Sequence, residues 1–276
     1  MKHIVCYSGG HSSALAAIKV VRKYGNNDVV LLNHDINPTK EHLSIKRFKA
    51  EVAQYLNLPI TYANIAGITK PEELPDQFEV VMLAKAFKVQ NGMELCTSRL
   101  KTIPFVKWLS ENGTPGIDII YYGFDKTEQR RIIRRRKILD SMGYESSYPL
   151  AEWKPTIKST TEIGILPPCT YDLYKHGNCV GCLKAGKQHW YVVFCTRPDV
   201  WAKGKAAESY IGYTIHKDES LESLEPLFEA MQMAGIEPTE HISSRKFWLN
   251  VERIVKPKEK GNWITPLSDI PCECSV

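Results

Sequence analysis

The chain of 276 residues has no long apolar run. No stretch approaches the ~20 consecutive apolar residues that a membrane-spanning helix needs. The first residues enter a strand-like run at once, which leaves no room for a signal peptide. We therefore expect a cytoplasmic protein that does not enter a membrane. Repeats, low-complexity tracts and an evident linker are also missing, so the length fits one large domain with an extension.

A strong excess of one charge is missing as well. The formal net charge is +5 and the pI is near 8.6. Such a balance suits an anionic ligand such as a nucleotide, but it does not require nucleic acid.

Cysteine, by contrast, is plentiful, with eight residues in the chain. Disulfides are rare in a reducing compartment, so this number favours a metal site or redox chemistry. Cys6 lies inside the first apolar run, and we interpret it as a small buried core residue.

Short apolar runs alternate with helix-length segments over the first 150 residues. The runs lie at 2–7, 28–36, 59–65 and 117–124. This alternation predicts βαβ units and a parallel sheet covered by helices on both faces, which is an α/β fold. We expect the α/β domain over residues 1–165. A cysteine-rich, mostly helical extension packed on it is expected over 166–276, with Trp190, Trp201 and Trp248 filling a core.

A loop of small and hydroxylated residues follows the first strand. Gly9 and Gly10 let backbone N–H groups approach an anion without a Cβ in the way, and Ser8, Ser12 and Ser13 add hydroxyl donors. The helix that begins here directs its N-terminal dipole and free N–H groups to the same place. The pattern predicts a phosphate site, although it matches neither G-x-x-x-x-G-K-[ST] nor G-x-G-x-x-G. A serine-capped helix after a tight turn is the alternative.

The loop SGGHSS resembles the S-G-G-x-D-S loop of the PP-loop superfamily. That superfamily includes ATP pyrophosphatases, the small subunit of ATP sulfurylase and, in modified form, the PAPS and APS reductases. Three later segments resemble motifs of the reductase branch in the same order, namely CTSRLKTIPF at 96–105, YYGFDKTEQRR at 121–131 and YPLAEWKPTIKSTTEIG at 148–164. DNA phosphorothioation enzymes of that branch share the layout. The resemblance covers roughly residues 1–185 and implies a Rossmann-like PP-loop domain.

This resemblance implies a role for each matched residue. The loop would cradle the terminal phosphates of an adenine nucleotide, His34 and Asp35 would lie beside the adenosine, and Gly123 would let the nucleotide lie against the backbone. Expected nucleotide contacts are Ser8, Gly9, Gly10, His11, Ser12, Ser13, His34, Asp35, Arg99, Gly123 and Arg131. Expected catalytic residues are Ser12, Lys101, Arg130 and Cys274. His11 is interpreted either as a hydrogen-bond donor to phosphate or as a helix N-terminal residue that points to solvent. For the basic run 130–137, the alternative to substrate contact is a solvated helix face.

One position departs from the family pattern. Ser12 stands where the superfamily has an aspartate, which is the natural partner of Mg²⁺ because that ion prefers hard oxygen ligands. Mg²⁺ would then be held by phosphates, water and another carboxylate, for which Asp35 is the candidate. The loop therefore supports nucleotide binding more directly than it supports ATP cleavage.

The cysteines supply a second candidate site. Cys179 and Cys182 are spaced so that two thiolates can reach one metal, and Cys96 falls where the resemblance places ligands of a [4Fe–4S] cluster. Cys195 is the preferred fourth ligand, with Cys169 as its alternative. The second interpretation is a zinc site in which His176 or His189 is a ligand. The third is a pair of cysteines that binds no metal.

Three functions follow from these observations. The first is an enzyme that cleaves ATP to AMP and pyrophosphate and adenylates an unidentified acceptor, on the way to sulfur transfer. The second is a thiol-dependent PAPS or APS reductase in which Cys274, in the tail Glu273-Cys274-Ser275, is the nucleophile. The third is a non-catalytic module whose association with nucleic acid depends on a nucleotide. We prefer the first, because the Ser-Gly-Gly-x-x-Ser loop is closer to the ATP pyrophosphatases. A homodimer is compatible with all three.

Overall fold

The computed structural model describes residues 1–255 except 91, 178 and 218. The tail with Cys272 and Cys274 lies outside the described residues. The described chain divides into two compact units. Among the described residues, the first contains Met1–Leu74 and Thr97–Cys169, and the second contains Pro75–Cys96 and residues 170–255. The segment 75–96 thus belongs to the second unit, whereas the sequence pattern assigns it to the α/β domain.

Five parallel strands form one sheet in the first unit, in the order β3-β2-β1-β4-β5. They are β1 His3–Cys6, β2 Val29–Asn33, β3 Ile60–Tyr62, β4 Ile119–Tyr121 and β5 Glu145–Ser147. In the central register, Ile4 of β1 pairs with Val30 of β2 on one side and with Ile120 of β4 on the other. The predicted α/β fold with a parallel sheet is confirmed.

The longer helices of the described chain are as follows. They are α1 His11–Tyr24, α2 Leu43–Tyr55, α3 Gln77–Ala84, α4 Ile103–Asn112, α5 Gln129–Ser141, α6 Lys187–Thr196, α7 Pro198–Ile211, α8 Leu221–Met233 and α9 Ser244–Val255. Helices α1, α2, α4 and α5 belong to the first unit, and the others belong to the second. No described helix is long and apolar enough to cross a membrane.

Strand β1 is buried on both sides, and its residues alternate between two cores. Val5 packs in one apolar cluster with α1 and α2, while Ile4 and Cys6 pack in the other with α4 and α5. This alternation is the period of two expected of a strand inside a sheet covered on both faces. Burial raises the pKa of the Cys6 thiol to about 12, so the interpretation of Cys6 as a core residue is confirmed.

The segment after β5 is held by cations of α1. The buried Lys19 ammonium donates to the Pro149 carbonyl at 2.5 Å, near the short helix Pro149–Glu152. Lys23 lies 4.2 Å over the ring of Trp153. These contacts give the Pro-Leu-x-x-Trp segment a structural function, because they anchor it along α1.

The second unit has an aromatic core. Trp190 of α6 is fully buried and contacts Trp201 of α7, with ring centroids 6.2 Å apart. Gly204 allows this packing, since a Cβ there would lie 3.0 Å from the Trp190 ring. Two of the three predicted core tryptophans are therefore in the core, while Trp248 is half-buried.

Candidate functional site

The carboxyl ends of the five parallel strands lie at one edge of the sheet. Along the strand order, the connections from β1 lead outwards to β2 on one side, and β4 continues the sheet on the other. Ligands of open α/β sheets bind at such a switch point, outside the carboxyl ends. The loop 7–10 follows β1 at this edge, so the predicted phosphate loop lies where this fold class binds ligands.

The structure explains why glycine occupies both position 9 and position 10 of the loop. Gly9 has a φ of +81°, and a Cβ there would lie 2.5 Å from Cγ of Lys49. Gly10 is the N-cap of α1, and glycine has no side chain with which to cap the helix. The first turn of α1 contains no acidic residue. Neither the N-cap nor a carboxylate of the first turn therefore repels an anion that approaches this end of α1.

Serine side chains tie the loop to the first turn. The Ser8 hydroxyl donates to Ser13 Oγ at 3.2 Å, and the Ser13 hydroxyl donates to the Gly10 carbonyl at 2.8 Å. Ser12 is exposed at the same turn. The loop thus has its own hydrogen-bond network, and Ser12 lies at its exposed side.

His11 has a structural partner that the sequence does not reveal. Its Nε2 accepts a hydrogen bond from the Thr160 backbone N–H at 3.2 Å, and its ring lies 6.5 Å from that of Phe48. Burial lowers the pKa of His11, which keeps Nε2 an acceptor. The prediction of a histidine that points to solvent is wrong. Because Nε2 is engaged as an acceptor, that atom does not donate to a phosphate in this arrangement.

A buried cluster of two lysines and two carboxylates lies beneath the loop. Lys49 Nζ is 3.0 Å from Glu41 and 3.4 Å from Asp35, and Lys46 Nζ is 2.9 Å from Asp35 and 3.1 Å from Glu41. The Lys49 and Glu41 side chains are each 2% exposed. Sequence reasoning identified Asp35 alone. The signal for the others was the spacing of Lys46 and Lys49, which are three residues apart and therefore share one face of α2.

This cluster bears on the predicted Mg²⁺ site. Asp35 Oδ1 already accepts from Lys46, from Lys49 and from the Ile36 backbone N–H. Glu41 is ion-paired with the same two lysines. Asp35 Oδ1 and Glu41 Oε2 are therefore engaged by ammonium groups in this arrangement. Asp35 as a ligand of Mg²⁺ stays a prediction.

His34, at the end of β2, is neutral near pH 7. Its Nδ1–H donates to the Ala63 carbonyl at 2.5 Å. Burial lowers its pKa to about 4; the Ala63 bond opposes this shift, and the positive charge of Lys101 adds to it. The structure thus brings the positive charge of Lys101 near a neutral His34 at this end of β2.

Lys101 and Arg99 lie on an unusual helical turn. Ser98–Thr102 forms a π-helix immediately before α4. Such turns are rare and are frequent at functional sites. Arg99 is exposed there and Lys101 is half-buried. The turn gives the Cys-x-x-x-Arg-Lys-like segment a distinctive backbone.

Gly123, after β4, is required by helix packing. A Cβ at this residue would lie 2.6 Å from the carbonyl oxygen of Ser12 and 2.8 Å from the backbone nitrogen of Ser13. The space beside its Cα is therefore filled by the first turn of α1. This contact explains the glycine without a ligand, and its role beside a nucleotide stays a prediction.

The two arginines at the start of α5 have different surroundings. Arg131 is ion-paired with Glu128 and lies 4.2 Å over the ring of Phe124. Arg130 is exposed. Arg130 therefore faces solvent, where a ligand can reach it, whereas Arg131 has a defined structural role.

The predicted metal-ligating cysteines belong to the second unit. Cys96 and Cys179 are half-buried and Cys182 is buried. Burial raises the pKa of Cys195, against a hydrogen bond from Tyr191 that lowers it, and this disfavours the thiolate that a metal requires. Among the described residues, no three His, Cys, Asp or Glu side chains are grouped so as to hold a metal ion. The described residues alone therefore do not fit a four-ligand cluster, and exposed Cys169 belongs to the first unit.

His189 supports the Cys-x-x-Cys turn without acting as a ligand. Its Nε2 accepts hydrogen bonds from the backbone N–H groups of Gly181 and Cys182, at 3.2 and 3.3 Å. Its Nδ1–H donates to Glu240 at 2.6 Å. Both ring nitrogens are thus engaged, which disagrees with the assignment of His189 as a zinc ligand. His176, the other histidine of that assignment, is exposed.

Comparison with known proteins finds a relative whose activity is not described. No protein-family model matches the chain and no solved structure matches it. An uncharacterized nin region protein of Escherichia phage lambda, ORF290, is 25% identical over 209 residues, covering 68% of each chain. That description names no activity. Family and function therefore rest on the residues and their geometry.

Proposed function

We propose that this chain is an adenine-nucleotide-binding enzyme of the PP-loop type, of the PAPS reductase-like branch. It cleaves ATP to AMP and pyrophosphate and transfers the AMP to an acceptor. The observation that carries this proposal is the loop Ser8–Ser13 at the switch point of the parallel sheet, with Gly9 at positive φ and Gly10 as the N-cap of α1. A glycine N-cap places no side chain between an anion and the helix N-terminus, and phosphate is an anion that such loops bind.

The residues of the loop supply the chemistry. An acceptor oxygen attacks the α-phosphorus, the bond from that phosphorus to the bridging oxygen breaks, and pyrophosphate leaves with the electron pair while the acceptor proton passes to solvent. The N–H groups at the start of α1 stabilise the charge on the terminal phosphates. Lys101 adds positive charge near the end of β2, and the exposed Arg99 lies on the same turn as Lys101. Catalysis of this kind depends on positioning and electrostatic stabilisation.

No step is assigned to a metal or to an iron–sulfur cluster. Asp35 and Glu41 are paired with lysines, and the described residues include no group of three or more side chains that could hold a metal ion. The reductase alternative rests on Cys274, which lies outside the described residues, so nothing among them favours it.

Calorimetric titration with ATP, AMP, APS and PAPS tests the binding step. We expect ATP to bind and Ser12→Glu to weaken its binding at least tenfold, because the new carboxylate would occupy the anion site. Ser223→Glu is the matched control, since Ser223 is an exposed serine in the first turn of α8. An added acid stabilises either helix N-terminus equally, so only the change at Ser12 is expected to affect ATP.

Incubation with ATP labelled at the α-phosphate tests the cleavage step. Labelled AMP or an adenylated acceptor, with release of pyrophosphate, supports the proposal. Release of ADP and phosphate, or tight ATP binding with no cleavage in the presence of candidate acceptors, contradicts it. Release of sulfite from PAPS or APS identifies the reductase instead.

A further inference from the structure

The Cys-x-x-Cys segment of the second unit is a tight turn. Val180 and Gly181 form its centre, and Gly181 has a φ of +74°. A positive φ at the third of the four positions is the pattern of a type II β-turn, in which glycine is favoured. A Cβ on Gly181 would also lie 2.5 Å from Cγ1 of Val200. The backbone conformation and the close approach of α7 therefore both require glycine in this turn.

Two buried side chains hold the backbone of the turn. Nε2 of Gln77 donates to the carbonyl oxygens of Val180 and Gly181, at 2.8 and 3.2 Å. Nε2 of His189 accepts from the backbone N–H groups of Gly181 and Cys182. Both side chains are 4% exposed. Four polar groups of the turn thus have partners within the second unit, and these bonds fix the backbone that carries the two cysteines.

The turn brings its two cysteines within reach of each other. The first and fourth Cα atoms of a β-turn lie within about 7 Å, and disulfides join cysteines whose Cα atoms are about 4.4–6.8 Å apart. The two thiols differ in access, because Cys179 is half-buried and Cys182 is buried. A more accessible thiol with a second thiol beside it is the arrangement in which one sulfur attacks a disulfide and the other resolves the product.

We propose that Cys179 and Cys182 are a redox-active pair that exchanges electrons with disulfides, an activity separate from the nucleotide chemistry of the first unit. The Cys179 thiolate attacks one sulfur of a partner disulfide, whose S–S bond breaks, and the other partner sulfur leaves as a thiolate. The Cys182 thiolate then attacks Sγ of Cys179, and the second partner sulfur leaves. Two electrons pass to the partner, and the protons of the two cysteines reach the departing thiolates through solvent.

The reverse reaction returns the pair to the dithiol. Two molecules of a low-molecular-weight thiol supply the two electrons and are themselves joined as a disulfide. Ligation of a metal by the same thiolates would compete with this exchange. The resemblance implies such ligation by Cys96, Cys179 and Cys182, whereas the part of the chain that the structure describes has no group of three side chains that could bind a metal ion. The two assignments make opposite predictions for the pair.

Peptide mapping of the full chain, purified without air, tests the exchange. The protein is equilibrated with excess oxidised glutathione, quenched in acid, alkylated and digested with trypsin. Residues 176–184 form one tryptic peptide that contains both cysteines. We expect this peptide to become lighter by two hydrogen atoms and to take up no alkylating agent. Excess reduced glutathione is expected to restore both thiols.

Two other cysteines serve as internal controls. Cys169 is exposed and Cys6 is buried, and neither lies in a Cys-x-x-Cys segment. Cys169 is expected to gain a glutathione adduct, and Cys6 is expected to stay a thiol. Glutathione adducts on both Cys179 and Cys182, or alkylation of both in excess oxidised glutathione, would overturn the proposal.

Single variants test the order of attack. In Cys182→Ser the exchange is expected to stop at the mixed disulfide, so that Cys179 carries glutathione. In Cys179→Ser the buried Cys182 is expected to form at least tenfold less adduct, because access limits its attack. Equal adducts in the two variants would overturn the assignment of Cys179 as the attacking thiol.

Urea tests the contribution of the folded turn, and it needs no variant. In concentrated urea the pair loses the support of Gln77 and His189. At a fixed glutathione mixture, the ratio of disulfide to dithiol is expected to be at least tenfold higher in the native protein, because the turn holds the two sulfurs close together. An equal ratio in both states would contradict the role given to the turn.

Iron and zinc are measured on the same anaerobic sample. A metal ion or cluster that is bound once per chain, and that protects Cys179 and Cys182 but not Cys169 from alkylation, would overturn the proposal in favour of ligation. Calorimetry with ATP on this sample reports on the proposed function alone, because the exchange involves none of the nucleotide contacts. Failure of one proposal is therefore distinguished from failure of the other.

Discussion

The backbone of Gly9 rests on the side chain of Lys49, so close that a Cβ on the glycine would lie 2.5 Å from Cγ of the lysine. The conformation of the candidate phosphate loop is therefore fitted to the side chain of a buried lysine of α2. This contact couples the loop conformation to the buried ion-pair cluster, because the Lys49 ammonium group is fixed by Glu41 and Asp35.

Gly9→Ala is expected to destabilise the protein by about 2–3 kcal/mol, since the alanine must adopt a positive φ and also meet the Lys49 stem. Gly164→Ala is the control. Gly164 has a φ of +77° and a ψ of 8°, in the left-handed helical region, and nothing lies within 4 Å of a Cβ there, so this variant reports the backbone cost alone, about 1 kcal/mol. Urea unfolding of both variants measures the difference. Equal losses would show that the Lys49 contact relaxes freely.

Lys49→Met is expected to cost about 3–4 kcal/mol, because it leaves two buried carboxylates to share Lys46. The double variant Lys49→Met/Glu41→Gln should recover more than 1 kcal/mol of this loss, since it removes the carboxylate that was left without a full partner. Urea denaturation of wild type, both single variants and the double variant measures the coupling free energy between Lys49 and Glu41.

The control for this cycle lies on the same helix. Arg47 and Glu51 form an ion pair at 2.6 Å with side chains 41% and 40% exposed. Glu51→Gln is expected to change the free energy of unfolding by less than about 0.5 kcal/mol, because exposed pairs contribute little. A loss at Lys49 no greater than the loss at Glu51 would contradict the description of the cluster as buried and coupled.

The sequence was sufficient for the fold because apolar runs and helical periodicity are local signals. It did not reveal β5, since Glu145–Ser147 is a three-residue strand with no apolar run. It placed the phosphate loop at the carboxyl edge, because a strand, a glycine turn and a helix in succession determine that position.

The sequence alone does not reveal contacts between residues that lie far apart in the chain. The partner of His11 is Thr160, 149 residues away, and the partner of Gly123 is the first turn of α1. The motifs alone predict a ligand contact for Gly123 and, for His11, either a phosphate donor or a residue that points to solvent. Contacts within the protein explain both residue types. His11 uses the lone pair of Nε2 to accept a hydrogen bond from Thr160, and Gly123 lets the first turn of α1 approach closely.

Alkylation of the native protein is expected to modify Cys169 much faster than Cys6. Cys169 is exposed. Cys6 is buried, and its pKa is raised to about 12, so at pH 8 its thiolate fraction is about a thousandfold below that of an ordinary thiol. Mass spectrometry after brief iodoacetamide treatment should find Cys169 modified and Cys6 modified only in denaturant. Modification of Cys6 at a comparable rate in the native protein would contradict its place in the core.

Acid is expected to destabilise the first unit partly through His34. Its folded pKa is about 4 against an ordinary value of 6.5. Above pH 6.5 the ring is neutral in both states, so it contributes no pH dependence. Between pH 6.5 and 4 the unfolded chain binds a proton that the folded chain does not, and stability falls as the pH falls, by at most about 1.4 kcal/mol per pH unit.

His34→Gln removes this titration while leaving the other histidines in place, including His216, whose pKa burial also lowers to about 4. The variant loses the Nδ1–H bond to Ala63, so it is expected to be less stable than wild type at pH 8. Between pH 6.5 and 5, however, its free energy of unfolding should fall less steeply with acid. Urea unfolding at pH 8, 6.5 and 5 measures both effects. A parallel decline of the two proteins over that interval would mean that His34 binds its proton equally in the folded and unfolded states.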